Sequence, residues 1–94
     1  MTVEELKTEL EKIISSLTSS GFGSIDSALV EKLEKFAAVA GELGMKEGKH
    51  LIGNLSGSMK AIQEGKSTAE SGSIRLMALE FYTKKLSDSN TEDL

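Results

Sequence analysis

The chain has 94 residues, a net charge of −4 and no cysteine, so it is long enough for one domain, and disulfides, zinc–thiolate sites and thiol nucleophiles are excluded. Hydrophobic residues make up 38% of it, with only three Phe and one Tyr, which predicts a mostly aliphatic core. Basic and acidic residues are interspersed without a basic stripe, a pattern that argues against a nucleic-acid partner.

The same composition limits metals, cofactors and membranes. A single His and no Asp/Glu cluster at loop spacing predict that the chain holds no metal and no cofactor. No apolar run approaches the ~18 residues of a membrane span, so we expect no membrane partner. The N-terminal stretch "MTVEELKTEL" is charged at once, unlike a signal peptide. With the absence of Cys, this favours a cytoplasmic protein.

The first two elements have helical periodicity and recognisable ends. Thr2 and Glu5 form a capping box before a helix over residues 3–19, whose inward positions are Val3, Leu6, Leu10, Ile13 and Leu17. The second helix lies in "SIDSALVEKLEKFAAVAGELG", where Ser24 or Asp26 can cap the start and Gly44 suits the end. Its apolar stripe comprises Leu29, Leu33, Phe36, Ala40 and Leu43.

Two more helices follow. The third, "MKEGKHLIGNLSGSMKAIQEG", is predicted to place Ile52, Leu55, Met59 and Ile62 inward. The fourth, "STAESGSIRLMALEFYTKKL", begins with a second capping box formed by Ser67 and Glu70. Its inward positions are predicted to be Ile74, Met77, Ala78 and Phe81, in a stripe widened by Leu76, Leu79 and Tyr82. Four amphipathic helices with short connections predict an all-α, antiparallel four-helix bundle over residues 1–86, followed by a polar, flexible tail over residues 87–94.

The outer face of the second helix carries unusually small side chains. Glu34, Ala37, Ala38 and Gly41 lie on its flank or outside, where a surface helix normally has charged residues. Small residues there allow another backbone to approach closely. The alternative interpretation is that alanine is simply a good helix former.

The stretch "LVEKLEKFAAVAGELGM" resembles the signature helix of histidine phosphotransfer (HPt) domains. Leu43, Gly44 and Met45 match the triplet that closes that helix, Phe36 matches its hydrophobic position, and small residues follow as in the family. The third and fourth helices also resemble their counterparts in length. The resemblance implies an HPt-like bundle that binds receiver or histidine-kinase domains in two-component signalling.

The chain departs from the family at the reactive position. Glu34 stands where the family has its phosphorylated His, and Ala37 stands where it has a Lys. A carboxylate cannot replace the imidazole that accepts and returns a phosphoryl group. We therefore expect a non-catalytic protein-interaction module, not an enzyme, that docks its partner through Glu34, Ala37, Ala38 and Gly41.

Two alternatives stay open. The one His, His50, is predicted to face solvent beside Lys46, Gly53 and Asn54, and an active phosphotransfer protein would use it as the phosphoacceptor. The other alternative is a structural or oligomerising bundle of unrelated role. Gly53 and Gly57, in G-x-x-x-G spacing, would then mark a close helix contact or a homodimer face.

Overall fold

The observed architecture is the predicted four-helix bundle. A computed structural model describes the backbone of residues 1–23 and 25–92 and the side chains of residues 1–23 and 25–86. Its helices are α1 (Val3–Ser20), α2 (Ser27–Glu42), α3 (Lys46–Gln63) and α4 (Ala69–Glu92). Each helix packs against its two neighbours in the order α1, α2, α3, α4 and back to α1.

The starts of α1 and α2 confirm the predicted caps. Glu5 N–H donates to Thr2 Oγ1 at 3.1 Å while Thr2 N–H donates to Glu5 Oε1 at 2.8 Å, which is the reciprocal capping box. The hydrogen bond that the carboxylate accepts from Thr2 N–H, aided by the Thr2 side chain, lowers the pKa of Glu5. Asp26 caps α2 by accepting from Leu29 N–H at 2.8 Å; Ser24, the other predicted cap, lies outside the described residues.

The connections between helices make neighbours antiparallel. Gly44 has φ +80°, the left-handed conformation expected of the residue that ends α2. The side chain of Gln63, the last residue of α3, donates to the carbonyl of Ile25 at 3.1 Å. Because Ile25 directly precedes the Asp26 cap of α2, this bond joins the end of α3 to the beginning of α2.

The capping box predicted for α4 from Ser67 and Glu70 is wrong, because the cap lies one residue later, at Thr68. Thr68 Oγ1 accepts a hydrogen bond from Ser71 N–H at 3.3 Å, and the helix begins at Ala69. Thr68 therefore has the role predicted for Ser67, and Ser71 occupies the third helical position predicted for Glu70. Both candidate caps are hydroxyl residues, which are equally favoured at this position, so the local sequence does not separate them.

The core is aliphatic, as expected, and draws on all four helices. Of the predicted inward residues of α1 to α3, most are fully buried, and Val3, Leu29, Leu43 and Ile62 are half-buried. The buried hydrophobic residues are Leu6, Leu10, Ile13, Ile14, Leu17, Phe22, Val30, Leu33, Phe36, Ala40, Ile52, Leu55, Met59, Leu76 and Leu79. Two buried hydroxyls are satisfied within their own helices: Ser56 donates to the Gly53 carbonyl at 3.0 Å and Thr83 to the Glu80 carbonyl at 2.9 Å.

The inward face predicted for α4 is wrong. Ile74, Met77 and Phe81 are 61%, 56% and 61% exposed, and Ala78 between them is only half-buried. The core receives Leu76 and Leu79 instead, flanked by the buried Gly72 and Thr83. The helix thus has large apolar side chains on two opposite faces, so periodicity alone does not choose between them.

Close contacts at two glycines explain which face of α4 is buried. A Cβ placed on Gly72 would lie 3.0 Å from both Ile62 Cδ1 and Phe22 Cε1, and a Cβ on Gly48 of α3 would lie 2.9 Å from Tyr82 Oη. At these positions α4 approaches the rest of the bundle more closely than larger residues allow. The packing therefore requires Gly72 and Tyr82 on or beside the inner face, which turns Ile74, Met77 and Phe81 outward.

The end of α4 extends past the predicted bundle. The helix continues to Glu92, whereas the sequence analysis ends it at Leu86. The flexibility predicted for the tail over residues 87–94 is not tested by the helical backbone of residues 87–92 and stays a prediction.

Candidate functional site

The small-residue face of α2 is exposed. The helix buries Val30, Leu33, Phe36 and Ala40, and at about 100° per residue the four predicted partner-binding residues lie on one flank of that stripe. Glu34, Ala38 and Gly41 are exposed, and Ala37 is half-buried against the edge of the core. Burial inside the bundle therefore does not account for the small side chain at Ala38.

A lysine of α3 lies across this face. A Cβ on Gly41 would be 3.1 Å from Lys49 Cδ and 3.6 Å from its Nζ, so the aliphatic stem of Lys49 rests on the glycine. This contact places the flank of Glu34, Ala38 and Gly41 on the side of α2 that adjoins α3. Sequence reasoning missed Lys49, because only the antiparallel packing of α2 on α3 brings it beside Gly41.

His50 lies in an adjoining, open depression of about 400 Å³. Its lining consists of Lys46, Lys49, His50, Gly53 and Asn54. The predicted grouping of His50 with Lys46, Gly53 and Asn54 on one exposed side of α3 is thus observed. Lys49 lines the depression and also covers Gly41, so the two predicted sites share this residue.

The glycines of the G-x-x-x-G spacing are not sites of close approach within the chain. A Cβ on Gly53 or on Gly57 would meet no heavy atom within 4 Å. Neither glycine is therefore required by the packing of one helix against another in the bundle.

The part of the chain that the structure describes has neither a metal-binding cluster nor a membrane-spanning helix. There, His, Asp and Glu residues form no group of three or more that could hold a metal ion. Within the same residues, no helix combines the length and apolarity needed to cross a bilayer.

Comparison with known proteins adds no relative. No protein-family model matches the chain, and no curated protein or solved structure matches it either. The functional argument therefore depends on the chain's own surface.

Proposed function

We propose that this chain is a non-catalytic protein-interaction module, similar to HPt domains, that docks a receiver or histidine-kinase domain through the outer face of α2. The observation that carries the proposal is the exposure of Glu34, Ala38 and Gly41 on one flank of a well-capped helix. A small residue on a rigid helix lets a partner backbone approach closely. Nothing within the bundle accounts for the small side chain at Ala38, whereas Gly41 also makes room for the stem of Lys49. The resemblance of "LVEKLEKFAAVAGELGM" to the HPt signature helix supplies the class of partner.

The charges beside this face suit recognition better than phosphoryl transfer. Glu34 presents a fixed negative charge at the position of the family's histidine. The family's lysine is replaced by Ala37, and Lys49 of α3 supplies a positive charge instead. A partner with the reverse pattern would be oriented by these two charges. Because Glu34 cannot act as the imidazole does, the proposed role is docking without transfer, in the cytoplasm.

The test is a binding titration with one bulky substitution and a matched control. Purified receiver and histidine-kinase domains from the source organism are titrated against the wild-type chain, Ala38→Arg and Ala28→Arg. Ala28 is also exposed on α2 but lies about 15 Å away along the helix axis. We expect Ala38→Arg to weaken binding about tenfold or more and Ala28→Arg to leave it unchanged. Equal binding by all three would refute docking at this face and favour a structural bundle of unrelated role.

One observation favours a second candidate, phosphotransfer at His50. The imidazole is exposed beside Lys46 and Lys49, whose charges would attract a phosphoryl group. Incubation with phosphorylated donor domains separates the two functions. An acid-labile, base-stable phosphoryl label that disappears in His50→Ala would establish phosphotransfer, whereas no label from any donor, with binding intact, would support docking alone.

A further inference from the structure

The outward face of α4 carries an apolar stripe of the exposed Ile74, Met77 and Phe81, with the half-buried Ala78 among them. These residues recur at steps of three and four, so they form one line along the helix, opposite the buried Leu76 and Leu79. At about 200 Å² for each large side chain, the exposed fractions of Ile74, Met77 and Phe81 correspond to roughly 350 Å² of apolar surface. A patch of that size lies within the range of the largest apolar patch on a monomeric protein, and such patches are often functional.

Opposite charges stand at the two ends of the stripe. Glu70 lies one helical turn before Ile74, Lys85 lies one turn after Phe81, and both are exposed. The line therefore begins with a carboxylate, continues through the apolar residues and ends with an amine. Such a line is complementary to a copy of itself that runs in the opposite direction.

We propose that two copies of this chain associate through the apolar stripe of α4, with the two α4 helices antiparallel and a two-fold axis between Met77 and Ala78. In this arrangement Ile74 of one copy lies opposite Phe81 of the other, and Glu70 lies opposite Lys85 at each end. A parallel pairing would place Glu70 beside Glu70 and Lys85 beside Lys85, and such like-charge contacts oppose association. The antiparallel arrangement is isologous, so it closes at two copies.

The area of the stripe sets the expected strength of the dimer. The apolar surface from Ile74, Met77 and Phe81 is about half of the ~800 Å² that each partner contributes to an interface of standard size. The methylene stems of Glu70 and Lys85 add apolar area, but the total still falls short of that of a standard interface. We therefore expect a weak dimer with a Kd on the order of 0.1 mM.

Sedimentation equilibrium over concentrations from about 10 µM to about 1 mM tests the proposal, since this range brackets the expected Kd. The wild-type chain is compared with Met77→Glu, in the middle of the stripe, and with Ser73→Glu, an exposed position on the same helix outside it. The expected result is concentration-dependent dimerisation of the wild-type chain and of Ser73→Glu, with a Kd at least about tenfold higher in Met77→Glu. Thermal unfolding followed by circular dichroism confirms that both variants fold.

Two results would overturn this interface. If the wild-type chain is monomeric over the whole range, a second copy does not cover the stripe, and a different protein must be sought for it. If Met77→Glu dimerises as the wild-type chain does, the dimer forms elsewhere on the bundle.

A charge exchange tests the antiparallel orientation. Glu70→Lys and Lys85→Glu each place like charges opposite one another and should weaken the dimer, whereas the double variant should recover the wild-type Kd. Failure of the double variant to recover would overturn the antiparallel arrangement. Ala38→Arg should dimerise with the wild-type Kd, because Ala38 lies on α2 and outside the α4 stripe. Loss of partner binding at α2 can therefore be distinguished from loss of dimerisation at α4.

Discussion

Replacing Gly48 with alanine should destabilise the bundle, although the same change normally stabilises a helix. Alanine is favoured over glycine within a helix by up to about 1 kcal/mol. At Gly48, however, the new Cβ would lie 2.9 Å from Tyr82 Oη and 3.0 Å from Tyr82 Cε2, well inside the ~3.5–4.0 Å of a favourable contact. The tyrosine ring of α4 must move away from α3 to admit the methyl group.

The expected size of the effect follows from these opposing contributions. Overpacking of this kind costs about 1–3 kcal/mol, so Gly48→Ala should lower the free energy of unfolding by up to about 2 kcal/mol after the gain in helix propensity. Gly57→Ala is the matched control, because it lies in the same helix and a Cβ there would meet nothing within 4 Å. It should raise the free energy of unfolding by about 0.5–1 kcal/mol.

Urea unfolding followed by circular dichroism measures both variants, with equal m-values as the check that the unfolding transition itself is unchanged. The same substitution in a Tyr82→Ala background isolates the contact: once the ring is absent, Gly48→Ala should become stabilising. If Gly48→Ala stabilised the wild-type chain as much as Gly57→Ala does, the close approach of Tyr82 to Gly48 would be refuted.

Three further predictions concern α4. Leu79→Ala should lower the free energy of unfolding by about 2–5 kcal/mol, because Leu79 is fully buried. Ile74→Ala should change it by less than about 0.5 kcal/mol in the monomer. If Ile74→Ala were the more destabilising of the two, the inward face of α4 would be the one that the sequence predicted. Thr68→Ala should lower the free energy of unfolding by about 1 kcal/mol, whereas Ser67→Ala should leave it almost unchanged in the same urea titration. Equal losses of stability in the two variants would contradict the observed cap. Burial and the charge of Glu47 raise the pKa of Tyr82 above its usual 10.0, so the protonated phenol contributes stability below pH 10 that is lost as the pH rises through the folded-state pKa. Tyr82→Phe should therefore become more stable relative to the wild-type chain above about pH 10. If the difference in the free energy of unfolding between the two proteins were the same below and above this pH, the prediction would be contradicted.

The fold was predictable where one face of a helix is clearly more apolar than the others. Residues such as Leu10, Leu33 and Leu55 stand in single stripes, so their burial follows from spacing alone. In α4 both Ile74 and Leu79 belong to apolar stripes, and the choice between them depends on the close contacts of Gly48 and Gly72 with other elements. Contacts of that kind are set by the packing of distant segments, which local periodicity does not contain.

The candidate site was likewise predictable from the sequence only in part. The exposure of Glu34, Ala38 and Gly41 follows from their angular position on α2 relative to its buried stripe. The placement of Lys49 over Gly41 does not, because it depends on how closely α3 packs beside α2. Local sequence thus predicts which residues a helix shows to solvent, whereas the neighbouring helix determines which charges accompany them.

The two apolar faces of α4 also bear on how uniquely the chain specifies its native state. Turning α4 about its axis by half a turn would exchange Leu76 and Leu79 for Ile74 and Phe81 at the core, so that one set of large apolar side chains replaces another. The bundle with α4 turned in this way is a competing compact state. The larger the energy gap between it and the native state, the less frustrated the sequence is. Gly48 and Gly72 widen that gap, since their missing side chains accept Tyr82 and Phe22 in one rotation of α4 only. Their contribution is therefore to the selection of one native structure among competing packings.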